Sequence, residues 1–116
     1  MKAVSKYQPL RHYQWGDNCD GWNLVDEDHL SVKQELMPGG TKEIKHYHQA
    51  AQQFFYILKG RATFEIEDSI VEIKEGEGLH IEAGKKHRIL NKGSEDLGFI
   101  LCSQPSTKND RINCEP

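Results

Sequence analysis

The sequence predicts an all-β fold, a single barrel in which short antiparallel strands form two facing sheets. Three observations carry this prediction. Short apolar segments alternate with polar residues, glycine-containing turns recur at intervals of about ten residues, and no long stretch has the 3.6-residue period of an amphipathic helix. Many short strands joined by glycine-rich turns are typical of sandwiches and barrels, and a chain of 116 residues suffices for one such domain.

The first three expected strands have the clearest pattern. Residues 30–36 alternate between apolar and polar side chains until Pro38-Gly39-Gly40 interrupts the run. Residues 54–58 are aromatic or aliphatic at every position and stop at Lys59-Gly60, and residues 62–67 alternate again. A strand that is apolar on both faces has the core on one side and a second layer or another subunit on the other, so residues 54–58 hint at an oligomer.

The remaining strands are shorter and lie between turns. After a tight turn at Asp68-Ser69, apolar runs recur over residues 70–74, 79–81, 88–90 and 97–102. Glycines or a Gly-Ser pair separate these runs, as expected for connections between antiparallel strands. They complete the strands that the barrel needs.

Three segments follow from this pattern. The barrel spans residues 30–103, and residues 1–29 form an N-terminal extension that packs on it, with Trp15 and Trp22 as candidates to cover an open end or edge. Residues 104–116 lose the periodicity and are expected to form a surface tail.

Composition excludes several classes of function. The chain has 15 basic and 18 acidic residues, a net charge of −3 and no basic patch, which argues against nucleic acid and anionic membranes as partners. The apolar runs are too short for a membrane-spanning helix, and the N-terminus shows no signal peptide. Three cysteines in no metal-binding spacing indicate reduced thiols and a cytoplasmic protein.

Two histidines are the first candidate for chemistry. His46 and His48 are two residues apart, so on a strand their imidazoles point to the same face. Imidazole is a ligand for divalent transition metals, and His87 lies beside a Gly-Lys-Lys turn where a neighbouring strand would supply a third ligand. Alone, the His46 and His48 pair is more typical of polar surface residues on an edge strand than of a metal site, but the third histidine and the surrounding glycines reverse that preference.

The spacing around these histidines resembles the two motifs of the cupin superfamily. The first motif, G(X)5HXH(X)3–4E(X)6G, is matched by Gly40, His46, His48, Gln53 and Gly60. The second motif, G(X)5PXG(X)2H(X)3N, is matched by Gly76, Glu82, Gly84, His87 and Asn91. The resemblance covers about residues 32–101 and implies a double-stranded β-helix, or jelly-roll, barrel of the small single-domain type, RmlC-like or mannose-6-phosphate isomerase-like.

The resemblance also implies a ligand set. One divalent transition ion (Zn, Fe, Mn or Ni) would be held by His46, His48 and His87, with Gln53 as a fourth and weaker ligand. Two positions depart from the motifs, because Gln53 replaces the usual Glu and Glu82 replaces a Pro. A neutral amide would leave the ion more Lewis acidic and less tightly bound. Two alternatives stay open, a three-histidine site in which Gln53 does not ligate and a barrel without metal.

Strand parity suggests which side chains would line the pocket. Phe55 and Ile57 share the parity of Gln53 and are expected to point into the barrel, and Gln34 and Leu36 are expected to line it from the preceding strand. His80 is either an acid or base in this pocket or a polar surface residue. His80 and Glu82 are the candidate acid–base groups that the sequence offers.

These observations predict a metal-binding small cupin that binds or acts on a small oxygenated molecule such as a sugar or a carboxylate, with a sugar isomerase as one possibility. The alternatives are a non-catalytic ligand-binding cupin and an iron-dependent dioxygenase. We further expect a homodimer in which Phe54, Tyr56 and Leu58 face the partner or a second layer.

Overall fold

The computed structural model describes residues 1–114, and every regular element in that range is a β-strand. The strands are β1 (Arg11–Trp15), β2 (Cys19–Glu27), β3 (Leu30–Met37), β4 (His46–Tyr47), β5 (Gln52–Lys59), β6 (Arg61–Ile66), β7 (Ser69–Lys74), β8 (Gly78–Ile81), β9 (His87–Leu90), β10 (Leu97–Gln104) and β11 (Ile112–Asn113). The predicted all-β fold is therefore confirmed.

Two antiparallel sheets face each other. The larger sheet has the strand order β1-β2-β3-β10-β5-β8, and the smaller sheet has the order β11-β4-β9-β6-β7. Apolar side chains from both sheets fill the space between them, and Phe64 of the smaller sheet and Phe99 of the larger are fully buried there. The arrangement is the jelly-roll barrel that the sequence predicts.

The N-terminal segment takes part in the larger sheet. Strand β1 pairs with β2, and β2 pairs with β3, so residues 1–29 supply two strands of the sheet. Tyr13 on β1, Gly21 on β2 and Glu35 on β3 form one row across these strands. A Cβ at Gly21 would lie 2.1 Å from the Tyr13 ring, so the missing side chain lets that ring lie across β2.

The expected surface tail is anchored by specific contacts. Strand β11 pairs with β4, and the Asp110 carboxylate accepts hydrogen bonds from the backbone N–H groups of Gln49, Ala50 and Ala51 at 2.7–3.0 Å. These contacts hold the C-terminal segment along the edge of the smaller sheet. Residues 104–113 show no periodicity because a loop and a two-residue strand make the contacts.

The apolar strand β5 divides its side chains between two environments. Phe55 and Ile57 are buried in the core, whereas Phe54, Tyr56 and Leu58 are 43, 41 and 38% exposed on the outer face. Within residues 1–114, this outer row stays partly open to solvent. No helix in the described residues is long and apolar enough to cross a membrane, and Cys19, Cys102 and Cys114 are free thiols.

Candidate metal centre

Three buried histidines meet inside the barrel. His46 on β4 lies opposite His87 on β9 in the ladder between these strands, and His48 follows β4 on the same face as His46. They are 2, 1 and 4% exposed, respectively. Each offers one ring nitrogen, and these nitrogens lie within 4.8 Å of one another, so the three side chains can share one metal ion.

Backbone carbonyls fix the orientation of all three rings. The Nδ1 atoms of His46, His87 and His48 lie within hydrogen-bond distance of the carbonyl oxygens of Ile44, Lys85 and Asp110. A carbonyl oxygen only accepts, so each Nδ1 carries the proton and each Nε2 keeps its lone pair. This is the tautomer that a metal-binding histidine requires.

Three of the four donor atoms that a metal would use lack partners among residues 1–114. The buried Nε2 atoms of His48 and His87 have no hydrogen-bond partner there, and neither does the buried Oε1 of Gln53. The Gln53 amide is fixed because its Nε2 donates to Ser103 Oγ at 3.0 Å, which leaves Oε1 as the free end. Buried polar atoms without partners are costly, and a divalent ion would satisfy them, so the residues fit the metal that the sequence predicts.

Burial keeps the imidazoles neutral. It lowers the pKa of His46 to about 3 and that of His87 to about 4, and it lowers the pKa of His48 as well. In each case the hydrogen bond to a backbone carbonyl opposes the shift without cancelling it. The cluster therefore presents deprotonated nitrogens at neutral pH, as metal binding demands.

A cavity of about 230 Å³ opens beside the histidines. Both sheets and the C-terminal segment line it, through Tyr13, Trp15, Lys33, Glu35, Glu43, His46, His48, Gln53, Phe55, Leu101, Thr107 and Arg111. The wall thus combines an apolar side with a small number of charged and hydroxyl groups, which is ordinary for a small-molecule site.

Tyr13 and Glu35 form one polar pair in this cavity. The Tyr13 hydroxyl donates to Glu35 Oε2, and the empty position at Gly21 between them allows the contact. Burial raises the pKa of the Glu35 carboxyl and also that of the Tyr13 hydroxyl. The Tyr13 hydroxyl therefore keeps its proton, and Glu35 is the group of this pair whose carboxyl can titrate closer to neutral pH.

Glu43 and Arg111 form a second polar pair. Arg111 Nη1 lies 3.5 Å from Glu43 Oε2, and Arg111 Nη2 donates to the Ile44 carbonyl at 3.4 Å. Glu43 Oε1 is 3.9 Å from His46 Nδ1. Burial raises the Glu43 pKa to about 7, although Arg111 opposes the shift. Arg111 therefore connects the C-terminal segment to the immediate surroundings of His46.

Several predicted pocket residues lie elsewhere. Phe55 lines the cavity, but Ile57 is fully buried in the core. The prediction that Gln34 and Leu36 line the pocket is wrong. Lys33 and Glu35 occupy the inner face of β3, and because side chains alternate along a strand, Gln34 and Leu36 point to the outer face. The side chains of β3 that face the cavity are therefore those of Lys33 and Glu35.

His80 and Glu82 are also outside the histidine cavity. His80 Nε2 lies 2.8 Å from Gln52 Oε1 on the outer face of the larger sheet, and Glu82 is exposed beside it. The candidate acid–base groups inside the cavity are Glu35, Glu43 and Tyr13, which the sequence analysis missed. The alternation along β3 separates Glu35 from Gln34 and Leu36, but the polarity of Glu35 favoured the outer face.

Comparisons with known proteins agree with this geometry. Residues 32–102 match the family model described as the cupin domain. An uncharacterised protein of Methanocaldococcus jannaschii is 31% identical over 111 residues, which covers 90% of this chain and 89% of that protein. An oxalate-binding protein of Thermotoga maritima is 32% identical over 71 residues, covering 61% of this chain and 58% of the relative.

A solved structure supports the same assignment at the level of the fold. The RmlC-like cupin of Shewanella frigidimarina superposes with a TM-score of 0.82 at 14% sequence identity, covering 94% of this chain and 95% of that one. The family match spans most of the barrel and contains the three histidines. The chain therefore belongs to the cupin domain family.

Proposed function

We propose that this cupin binds one divalent transition ion through His46, His48 and His87, with Gln53 as a weaker fourth ligand, and presents it to a small oxygenated ligand. The observation that carries the proposal is that buried nitrogen and oxygen atoms with free lone pairs lie together in the barrel. The buried Nε2 atoms of His48 and His87 and the buried Oε1 of Gln53 have no partner in the described chain. All four side chains are at most 5% exposed.

The neutral donor set favours an anionic or strongly polar ligand. Three imidazoles and an amide leave the charge of a divalent ion uncompensated, and when bound the ion would polarise a carboxylate, carbonyl or hydroxyl oxygen. A small carboxylate or a sugar has such oxygens. The printed name of the Thermotoga maritima relative, an oxalate-binding protein, supports a carboxylate first.

The cavity also contains groups that can move a proton. Glu35 holds the Tyr13 hydroxyl in place, and its raised pKa lets it carry a proton nearer to neutral pH than an exposed carboxyl does. This supports a reaction that includes proton transfer, as in a sugar isomerase. The alternative is a binding protein without catalysis, in which the same pair only orients the ligand.

The function is tested by metal content and by ligand binding. We expect protein purified without chelator to contain about one metal ion per chain. His46→Ala should reduce the affinity by more than about 100-fold, beyond the range typical of outer-shell partners, because it removes a ligand. The matched control is His29→Ala, at an exposed position. Equal metal affinity of the two variants would overturn the proposal.

Ligand binding is measured on the same preparations. Isothermal titration with oxalate should give heat with the metal-loaded wild type and none with the chelated protein or with His46→Ala. Binding of oxalate to the chelated protein with unchanged affinity would contradict a metal-dependent ligand site. A Glu35→Gln variant that still binds oxalate in loaded form would separate binding from proton transfer.

We also propose a homodimer that covers the outer row of β5. Phe54, Tyr56 and Leu58 expose apolar surface in one line, and Phe54 packs over Gly78, where a Cβ would lie 2.4 Å from its ring. Light scattering should give a mass about twice the 13.3 kDa of the chain. The double substitution Tyr56→Lys and Leu58→Lys should give the monomer, whereas Ile70→Lys, an exposed apolar residue on the other sheet, should not.

A further inference from the structure

A second cavity adjoins the one that contains the histidines. It has a volume of about 300 Å³ and is lined by Arg11, Asn23, Asp26, Ser31, Lys33, Ser106, Thr107 and Lys108. Lys33 and Thr107 line both cavities, so the two spaces share a wall. This volume is at the lower end of the range of roughly 300–1,000 Å³ that small-molecule sites occupy.

The charge of this second cavity is opposite to that of the whole chain. Its lining includes three cations, Arg11, Lys33 and Lys108, and one acid, Asp26, although the chain has a net charge of −3. Within residues 1–114, none of these three cations has a carboxylate within ion-pair distance. Three cations against one acid in the lining produce a local field that attracts an anion.

A buried hydroxyl at the inner end of the cavity lacks a partner. Ser31 is 2% exposed, and its Oγ makes no hydrogen bond within the described part of the chain. Leaving such a group unsatisfied costs stability, so a bound oxygen acceptor explains it better than packing does. The hydroxyl is thus an independent indication that a polar ligand belongs there.

Neighbouring contacts hold the cations in position. With the Asn23 amide in the orientation that satisfies both side chains, its oxygen accepts from Arg11 Nε at 3.2 Å and from Arg11 Nη2 at 3.0 Å, and these bonds orient the guanidinium. The loop that carries Lys108 is tied down because Ser106 N donates to the Asp28 carbonyl at 3.0 Å and Lys108 N donates to Ser106 Oγ at 3.2 Å. A guanidinium held in this way is preorganised for an oxyanion.

We propose that the second cavity binds an anionic group, a phosphate or a carboxylate, at the far end of the ligand whose oxygens approach the three histidines. The inference rests on the proposed function for the near end of that ligand. It adds that the ligand carries a second negative group, recognised by Arg11, Lys108 and the Ser31 hydroxyl. Lys33, on the shared wall, contacts both parts of the ligand.

The test is an NMR titration of the full chain, freed of metal by chelation, with inorganic phosphate and separately with acetate at constant ionic strength. Phosphate should shift the backbone amide signals of Ser31, Thr107 and Lys108. Arg11→Gln should weaken phosphate binding by about 10-fold or more, because it removes a charged hydrogen-bond donor. Lys92→Gln, which removes an exposed charge from a turn, should bind phosphate as the wild type does.

Ser31→Ala supplies a second readout that a purely structural role would not give. Without phosphate, removal of an unsatisfied buried hydroxyl should raise the melting temperature by about 3 °C. The same variant should bind phosphate more weakly. A variant that loses stability and binds phosphate normally would show that the hydroxyl serves the fold and would overturn this part of the proposal.

The outcomes separate this inference from the proposed function. If neither phosphate nor acetate shifts these amides in the wild type, or if Arg11→Gln and Lys92→Gln bind phosphate equally, the inference is wrong and the metal titration is unaffected. Phosphate binding that disappears in His46→Ala would place the anion at the histidines and also overturn it. Shifts with phosphate alone identify a phosphate ester as the ligand class, and tighter binding of acetate than of phosphate identifies a carboxylate.

Discussion

The part of the chain that matches the family model and the segments that flank it contribute different chemistry to the cavities. Residues 32–102 supply the three histidines and Gln53, whose buried atoms face a common point. The flanking segments supply Tyr13 and Arg111 to the first cavity and Arg11, Asn23 and Lys108 to the second. Under the proposed function, the matched region supplies the metal ligands, and the flanks add to the lining that the bound ligand contacts.

The largest departure from this division is Asp110, a flanking residue that supports the histidines. Its carbonyl accepts from His48 Nδ1, and its carboxylate accepts from three backbone N–H groups, which lower the pKa of the acid although burial opposes them. Asp110→Ala should cost about 2 kcal/mol of unfolding free energy and about 10- to 100-fold in metal affinity. Chemical denaturation and competitive metal titration measure the two effects.

The control for that variant is Asp68→Ala, which removes a carboxylate from the exposed β6–β7 turn. If Asp110→Ala binds metal as tightly as this control does, the flanks do not support the histidine cluster. The matched region alone would then determine the metal affinity.

A smaller effect is expected at Gln53, inside the matched region. Gln53→Glu adds a negative charge next to the ion and should tighten metal binding by about 10-fold, whereas Gln53→Ala should weaken it less than His46→Ala does, since water can replace an amide oxygen. Gln52→Glu is the matched control, because Gln52 lies on the outer face and bonds to Gln104. Equal affinities for Gln53→Glu and the wild type would show that Gln53 is not a ligand.

The smallest expected effect is on the melting temperature. It concerns Glu35 of the barrel, which pairs with Tyr13 of the N-terminal flank. Burial raises the folded-state pKa of Glu35 above the ordinary carboxyl value of 4.5. As the pH rises above 4.5, the unfolded chain releases this proton before the folded chain does, so the wild type loses stability relative to Glu35→Gln. In chelated protein, the melting temperature of the variant minus that of the wild type should therefore increase between about pH 5 and pH 8.

Glu27→Gln, on the exposed end of β2, controls for the loss of one carboxylate. If the melting temperature of Glu35→Gln minus that of the wild type decreases as the pH rises, Glu35 does not hold a proton in the folded state. That result would leave Tyr13 as a purely structural neighbour.

Much of the fold was accessible from the sequence because alternation and turns are local properties. Each of the seven expected strands corresponds to a strand of the structure, from β3 to β10. The strands β1 and β2 of the N-terminal segment and the two-residue strands β4 and β11 were not predicted. The two-residue period also brought His46 and His48 to one face, where the structure has them. His87 entered through the motif, and the ladder pairs it with His46.

The pocket lining was harder to predict because alternation gives two sets of side chains without saying which set faces inward. On β3 the inner set contains Lys33 and Glu35, which polarity alone would place outside. Their burial depends on Tyr13 and on the C-terminal segment, and both are distant in sequence. Arg111 was missed for the same reason, because its partner Glu43 is distant from it in the sequence.

The N-terminal strands and the loop that carries Lys108 meet only in the folded protein, and this affects the order in which parts of the molecule fold. Arg11 and Lys108 meet at one cavity although almost the whole described chain separates them. Contacts between distant residues require the entropy of a large loop to be lost first, whereas hairpins such as β6–β7 close quickly. We therefore expect the hairpins to form first and the second cavity last, so the surface that recognises the anionic end of the ligand is the last part of the molecule to assemble.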